Sequence, residues 1–99
     1  MIKTNEYGDL FTIMGNSATF SIRDLPAKKG TLVCCFSGYT EVKKEYQLDG
    51  QREAIVKLTR EDIENIGVGE HMYYIDLITN DGNDVDTLVY QRFVVYEKE

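Results

Sequence analysis

The 99-residue sequence has no tryptophan, one proline, one histidine and two cysteines, and each scarcity closes off some chemistry. With His71 alone, no histidine-based metal cluster can form. A serine–histidine triad would have to recruit Ser17, Ser21 or Ser37, none of which sits between the paired glycines of a nucleophile elbow. The cysteines, Cys34 and Cys35, are adjacent. In a strand, neighbouring side chains point to opposite faces, so these two do not readily bridge each other, and they form neither a CxxC pair nor a zinc site. They are expected as reduced thiols, one of them filling core space, in a cytosol or in a particle assembled there. Basic residues are also few: 11 Lys+Arg face 17 Asp+Glu, for a net charge of −6. A nucleic-acid face, which needs counterion-releasing Lys and Arg, is not expected. No apolar run approaches the roughly 20 residues that span a bilayer. No basic segment precedes an apolar stretch at the start, so neither a membrane span nor a cleaved signal is expected.

What the sequence does hold is strand material, with 42% apolar residues, seven tyrosines and four phenylalanines. A chain of this length hides roughly two-thirds of its unfolded surface, enough for one core, so residues 1–99 are expected to form a single domain. Residues 9–14 alternate weakly and end at the turn pair Gly15-Asn16. In residues 17–23, Ala18, Phe20 and Ile22 point one way and the serines, Thr19 and Arg23 the other, which predicts a half-buried strand. After a loop holding Pro26, the run from Thr31 to Ser37 is apolar on both faces. Leu32, Cys34 and Phe36 lie on one side, Val33 and Cys35 on the other. Such a run suits a central strand covered on both sides. Residues 42–48 alternate with enough charge to blunt a sheet edge. Asp49-Gly50 then signals a hairpin, with the next strand near residues 53–58.

The β rhythm breaks at residues 59–67. Thr59 can cap a helix, acidic residues fill its first turn, Ile63 and Ile66 sit three positions apart, and Gly67 stops it. This predicts a short helical plug at about residues 60–66, with both isoleucines facing inward. In the following strand Tyr73, Ile75 and Leu77 share one face, Met72, Tyr74 and Asp76 the other. Residues 80–83 form a hairpin turn, and the last strand, near residues 86–96, ends in a solvating Glu97-Lys98-Glu99 tail. In that strand Leu88, Tyr90, Val94 and Tyr96 share one face, while Val89, Phe93 and Val95 share the other. Gln91 falls on the Phe93 face and points to a bulge.

About seven strands with turns every 8–12 residues or so predict an all-β fold, an antiparallel immunoglobulin-like β-sandwich with one short helical turn. One face of the last strand enters the core. The other leaves a larger apolar stripe than monomers ordinarily expose, beside Met72 and Tyr74. It is expected to be a docking surface formed by Met72, Tyr74, Leu88, Tyr90, Val94 and Tyr96, with Arg92 orienting the partner. Residues 81–86 lack the D-x-[DN]-x-[DN]-G order of a calcium loop and its bidentate glutamate. Gly67-Val-Gly69 lacks the third glycine and the following helix of a nucleotide loop. No catalytic residue, cofactor or metal is expected.

Taken in order, the second half runs "VKLT", "REDIENI", "GEHMYYIDLIT", "DGN" and "TLVYQRFVVYE", and the first half opens with "GDLFTIMGNSATFSIRD". This succession resembles the N-terminal immunoglobulin-like domain of phage baseplate upper proteins and related prophage tail proteins, over most of the chain. The resemblance implies a rigid, non-enzymatic domain that fixes a receptor-binding or peripheral arm to the distal ring of the tail. It also implies assembly in symmetric copies and location in the virion after assembly in the bacterial cytoplasm. The family's domain continues into a linker, a coiled coil and further domains. This sequence stops at Glu99, as expected of a small accessory protein or a truncated product. The implied partners are proteins, either tail and baseplate components or further copies in a homo-oligomer, with no nucleic acid and no membrane. Two other readings fit the same residues: a carbohydrate-binding module using its tyrosines, and a host-encoded, cytoplasmic interaction or adhesion domain.

Overall fold

The computed structural model of the chain describes residues 3–4 and 8–98. Its strands are β1 (Lys3–Thr4), β2 (Leu10–Ile13), β3 (Ala18–Ile22), β4 (Lys29–Ser37), β5 (Val42–Asp49), β6 (Ala54–Leu58), β7 (Gly69–Thr79) and β8 (Val85–Tyr96). One helix, α1 (Arg60–Ile66), joins β6 to β7, so the protein is mostly β with one short helix. No helix of the described residues is long and apolar enough to cross a membrane. Glu97 and Lys98 are exposed, while Glu99 lies outside the described residues.

The strands form two layers. The larger sheet has the order β1-β2-β8-β7-β4-β5, and the smaller one pairs β3 with β6. Leu32, Cys34 and Phe36 of β4, Tyr73, Ile75 and Leu77 of β7, and Phe93 and Val95 of β8 face the core from the larger sheet. Ala18, Ile22, Val56 and Leu58 close it from the smaller one. Phe36 lies at the centre, its ring 5.2 Å from Phe93 and 5.8 Å from Tyr73. Phe20 reaches across from β3 to within 6.3 Å of both Phe36 and Tyr73. Removing one such fully buried side chain from water contributes about 1.5–3 kcal/mol. Cys34 is the inward thiol of the adjacent pair; burial pushes its pKa up to about 12, so it behaves as an apolar core atom.

Two expectations need correction. The larger sheet is mixed rather than antiparallel, because β2 runs parallel to β8, with Leu10 opposite Phe93 and Ile13 opposite Tyr96. The Asp49–Gly50 turn does not make a hairpin either. Gly50 supplies the left-handed turn at φ 91°, but β5 pairs with β4 in one layer and β6 with β3 in the other. The physical reason lies in β6. Val56 and Leu58, opposite Phe20 and Ala18, are needed to cover the second side of the core, which an edge position beside β5 would not let them do.

The helix forms as its sequence predicts. Thr59 accepts the Asp62 amide at 3.1 Å through Oγ1, and the Thr59 amide donates to Asp62 Oδ2 at 2.8 Å, a reciprocal capping box. Ile63 and Ile66 are fully buried and plug one end of the core. The β4–β5 loop closes the other terminus, because the amides of Tyr39 and Thr40 donate to the carbonyls of Ile66 and Asn65 at 3.1 and 2.9 Å. At the opposite end of the molecule, the β7–β8 turn is knotted by Asp81. Its Oδ1 accepts the Thr79 hydroxyl at 2.6 Å and the Asn83 amide at 3.0 Å, so this carboxylate serves the turn.

Candidate functional site

The alternation of β7 and β8 sets which side chains leave the core. Outward from the larger sheet come Met72, Tyr74 and Asp76 on β7, and Tyr90, Arg92, Val94 and Tyr96 on β8. Met72 stands opposite Arg92 and Tyr74 opposite Tyr90. The rings of Tyr74 and Tyr90 stack with centroids 6.4 Å apart and planes 13° from parallel. Tyr90 is 63% exposed and Tyr96 53% exposed.

The parallel partner β2 adds a second pair. Phe11 stands opposite Val94, and its ring stacks on Tyr96 at 6.3 Å with planes 12° apart. Ile13 stands opposite Tyr96 and is partly exposed. The face therefore carries two aromatic platforms, Tyr74–Tyr90 and Phe11–Tyr96. Phe11 and Ile13 were missed by sequence reasoning, since nothing local says which strand a four-residue segment joins. Their alternation with inward Leu10 and Thr12 is the only signal present.

Between the platforms lies Arg92. Its Nε and Nη2 donate to Asp9 Oδ2 at 3.1 and 2.8 Å, and its amide donates to Asp9 Oδ1 at 3.1 Å. Its Nη1 donates to Glu70. These carboxylates, Asp9 first, raise the guanidinium pKa further above its ordinary value. Within the fold, the guanidinium positions the start of β2 against β7 and β8.

Two further residues differ from expectation. Leu88 packs against the core rather than beside Tyr90. The register jumps there, with Ile75 opposite Val89 but Asp76 opposite Thr87, so Leu88 is the extra residue of a bulge and turns inward. The bulge is not at Gln91, which stays partly buried opposite Tyr73. Val94 does lie on the outer face, yet it is only 7% exposed, flanked in register by Phe11 and Glu70. It supports the surface and offers little contact area.

Toward β4 the face becomes continuous with buried groups. Cys35 stands opposite Tyr74 and Val33 opposite Asp76, and both are buried although they point away from the core. Burial is the main cause that raises the Cys35 thiol, and a hydrogen bond links it to Tyr74. That bond and the charge of Cys35, followed by burial and then the carboxylates of Glu41 and Asp76, push the Tyr74 hydroxyl up to about 12. At the β4–β5 end an open recess of about 410 Å³ is lined by Ser37, Gly38, Glu70, His71, Met72 and Arg92. His71 is committed to local structure. Its Nε2 donates to the Gly67 carbonyl at 2.9 Å, and Tyr39 packs edge-on against it at 5.6 Å. Among the described residues no group of three or more His, Cys, Asp or Glu side chains could hold a metal ion.

No protein-family model matches the chain, and a search of curated proteins returned no match.

Proposed function

We propose that the protein is a non-enzymatic structural and assembly domain of immunoglobulin-like architecture. Its proposed place is a phage or prophage tail or baseplate, where it binds protein partners through the outer face of its larger sheet. The observation that carries the reading is the pair of aromatic platforms, with Tyr90 and Tyr96 of β8 more than half exposed. Aromatic side chains bring large contact area at small entropic cost and are enriched at the centres of protein interfaces.

The topology supports the immunoglobulin-like part. In such sandwiches strands B and E lie in one sheet, and G, F, C and C′ in the other. The pairing of β3 with β6, against the order β8-β7-β4-β5, follows that scheme. The segments "VKLT", "REDIENI" and "GEHMYYIDLIT" fall on the end of β6, on α1 and on β7, which keeps the resemblance to the tail-protein domain in register with the elements. The experiment is co-purification of the full chain with the tail proteins encoded beside its gene, alongside light scattering, for the wild type and Tyr90→Glu. Association that the substitution abolishes is the expected result. A strict monomer, indifferent to tail components and to the change, overturns the reading. Binding on a glycan array would instead favour a carbohydrate-binding module.

A further inference from the structure

The charges around the Tyr74–Tyr90 platform discriminate among the partners this face could take. Asp9 is matched by Arg92. Glu70 shares the same guanidinium through Nη1. That leaves Asp76 beside Val33, Glu45 across from Val33, and Glu41 near Cys35 and Tyr74. Among the described residues around the platform, one ammonium stands against these three carboxylates, Lys43, opposite Cys35. The apolar centre is therefore bordered on its β4–β5 side by an acidic rim.

We propose that this face docks a protein surface with an apolar centre and an arginine- or lysine-bearing rim, rather than a second copy of the chain. The proposal rests on the docking role assigned to the face above and adds the identity of what docks. A two-fold contact between copies would bring the same patch against itself. It would bring the Asp76, Glu45 and Glu41 carboxylates of one copy up against the same acidic group of the other, in a chain already at −6. Like charges facing each other across an interface are strongly disfavoured, whereas a basic rim gains attraction and a faster encounter.

The test uses the full ¹⁵N-labelled chain and two disulfide-closed hairpin peptides. One presents tyrosine and leucine between arginines; its twin carries glutamates in place of the arginines. The arginine hairpin is expected to shift the amides of Met72, Tyr74 and Tyr90. It should bind at least about fivefold tighter than its twin, and lose several-fold in affinity between about 50 and about 300 mM NaCl. Joint Glu45→Gln and Asp76→Asn substitution, with the rest of the amide spectrum unchanged, is expected to erase most of the preference. Equal affinity of both hairpins at those amides overturns the charge inference and leaves the docking face standing. Absence of shifts there with either hairpin overturns both. A dimer in sedimentation that Tyr90→Glu dissociates overturns the proposal in favour of a second copy.

Discussion

The amide and the guanidinium of Arg92 both close on the carboxylate of Asp9, 83 positions earlier in the chain. Asp9 is 4% exposed and immediately precedes β2, so this contact sets where the parallel ladder with β8 begins, at Leu10 opposite Phe93. A buried carboxylate held by three donors is stabilising only while its donors remain. Asp9→Ala is expected to lower stability by about 2–3 kcal/mol, and Asp9→Asn, which keeps an acceptor, by less. Urea denaturation checks this. A loss below about 0.5 kcal/mol in Asp9→Ala would show that β2 docks without the tie. The Phe11–Tyr96 platform should loosen with it, seen as a change in the near-ultraviolet tyrosine signal.

The helix cap predicts an acid effect. Burial raises the Asp62 pKa, but hydrogen bonds from Lys44 and Thr59 outweigh it and hold the value below the ordinary 3.8. Lys44 Nζ lies 2.8 Å from Asp62 Oδ2. Since the folded-state pKa is depressed, the contribution is present above about 3.8 and is lost as the pH falls through the lower folded value. Asp62→Ala is expected to cost about 1 kcal/mol at neutral pH, with the difference from wild type shrinking below that window. Stability curves of both proteins, measured across the acid range, decide it.

How much of this was legible depended on whether a residue's fate is local. The Thr59 cap, the stop at Gly67 and the alternation of Tyr73, Ile75 and Leu77 are written in neighbouring residues, and the structure follows them. Layer assignment is not local. Asp49-Gly50 announces a turn, but only the need for Val56 and Leu58 on the far side of the core sends β6 there. The outer face was half legible for the same reason. Alternation placed Tyr74, Tyr90 and Tyr96 outward, while Phe11 joined them through a long-range parallel pairing. Leu88 left them through a bulge that breaks period two, and the tie from Arg92 to Asp9 spans most of the chain.

Alkaline pH should destabilise the core. Burial, with the charges of Asp9 and Cys34, pushes the Tyr73 hydroxyl from 10.0 up to about 12, and the hydroxyl donates to the Gly8 carbonyl at 2.7 Å. A raised folded-state pKa means that the contribution is complete below about 10 and disappears as the pH rises toward about 12. The Cys34 thiol, raised from 9.0 to about 12, acts with the same sign. Tyr73→Phe loses the hydrogen bond, about 1 kcal/mol, but cannot ionise. Its deficit against wild type is therefore expected at neutral pH and should narrow steadily above pH 10 in urea titrations. A constant deficit across that range would mean that Tyr73 ionises no differently in the folded and unfolded chains.

Two glycines beneath the β4–β5 loop separate steric from conformational strain. At Gly38 an added Cβ would lie 2.5 Å from the Ile66 Cα and 2.6 Å from its carbonyl oxygen, where only backbone can give way. At Gly67 the added atom would meet Tyr39 Cδ2 at 2.1 Å, but that ring is 82% exposed and can swing aside. What remains at Gly67 is the cost of φ 85° with ψ 164°, a region almost confined to glycine, for a residue with a Cβ, about 1–3 kcal/mol. Gly38→Ala is therefore expected to destabilise by about 2–4 kcal/mol, more than Gly67→Ala, and to displace the loop that closes the helix. Thermal denaturation ranks the two. The reverse order would place the rigid contact at Tyr39 and make the exposed ring, rather than the Ile66 backbone, the element that fixes the loop.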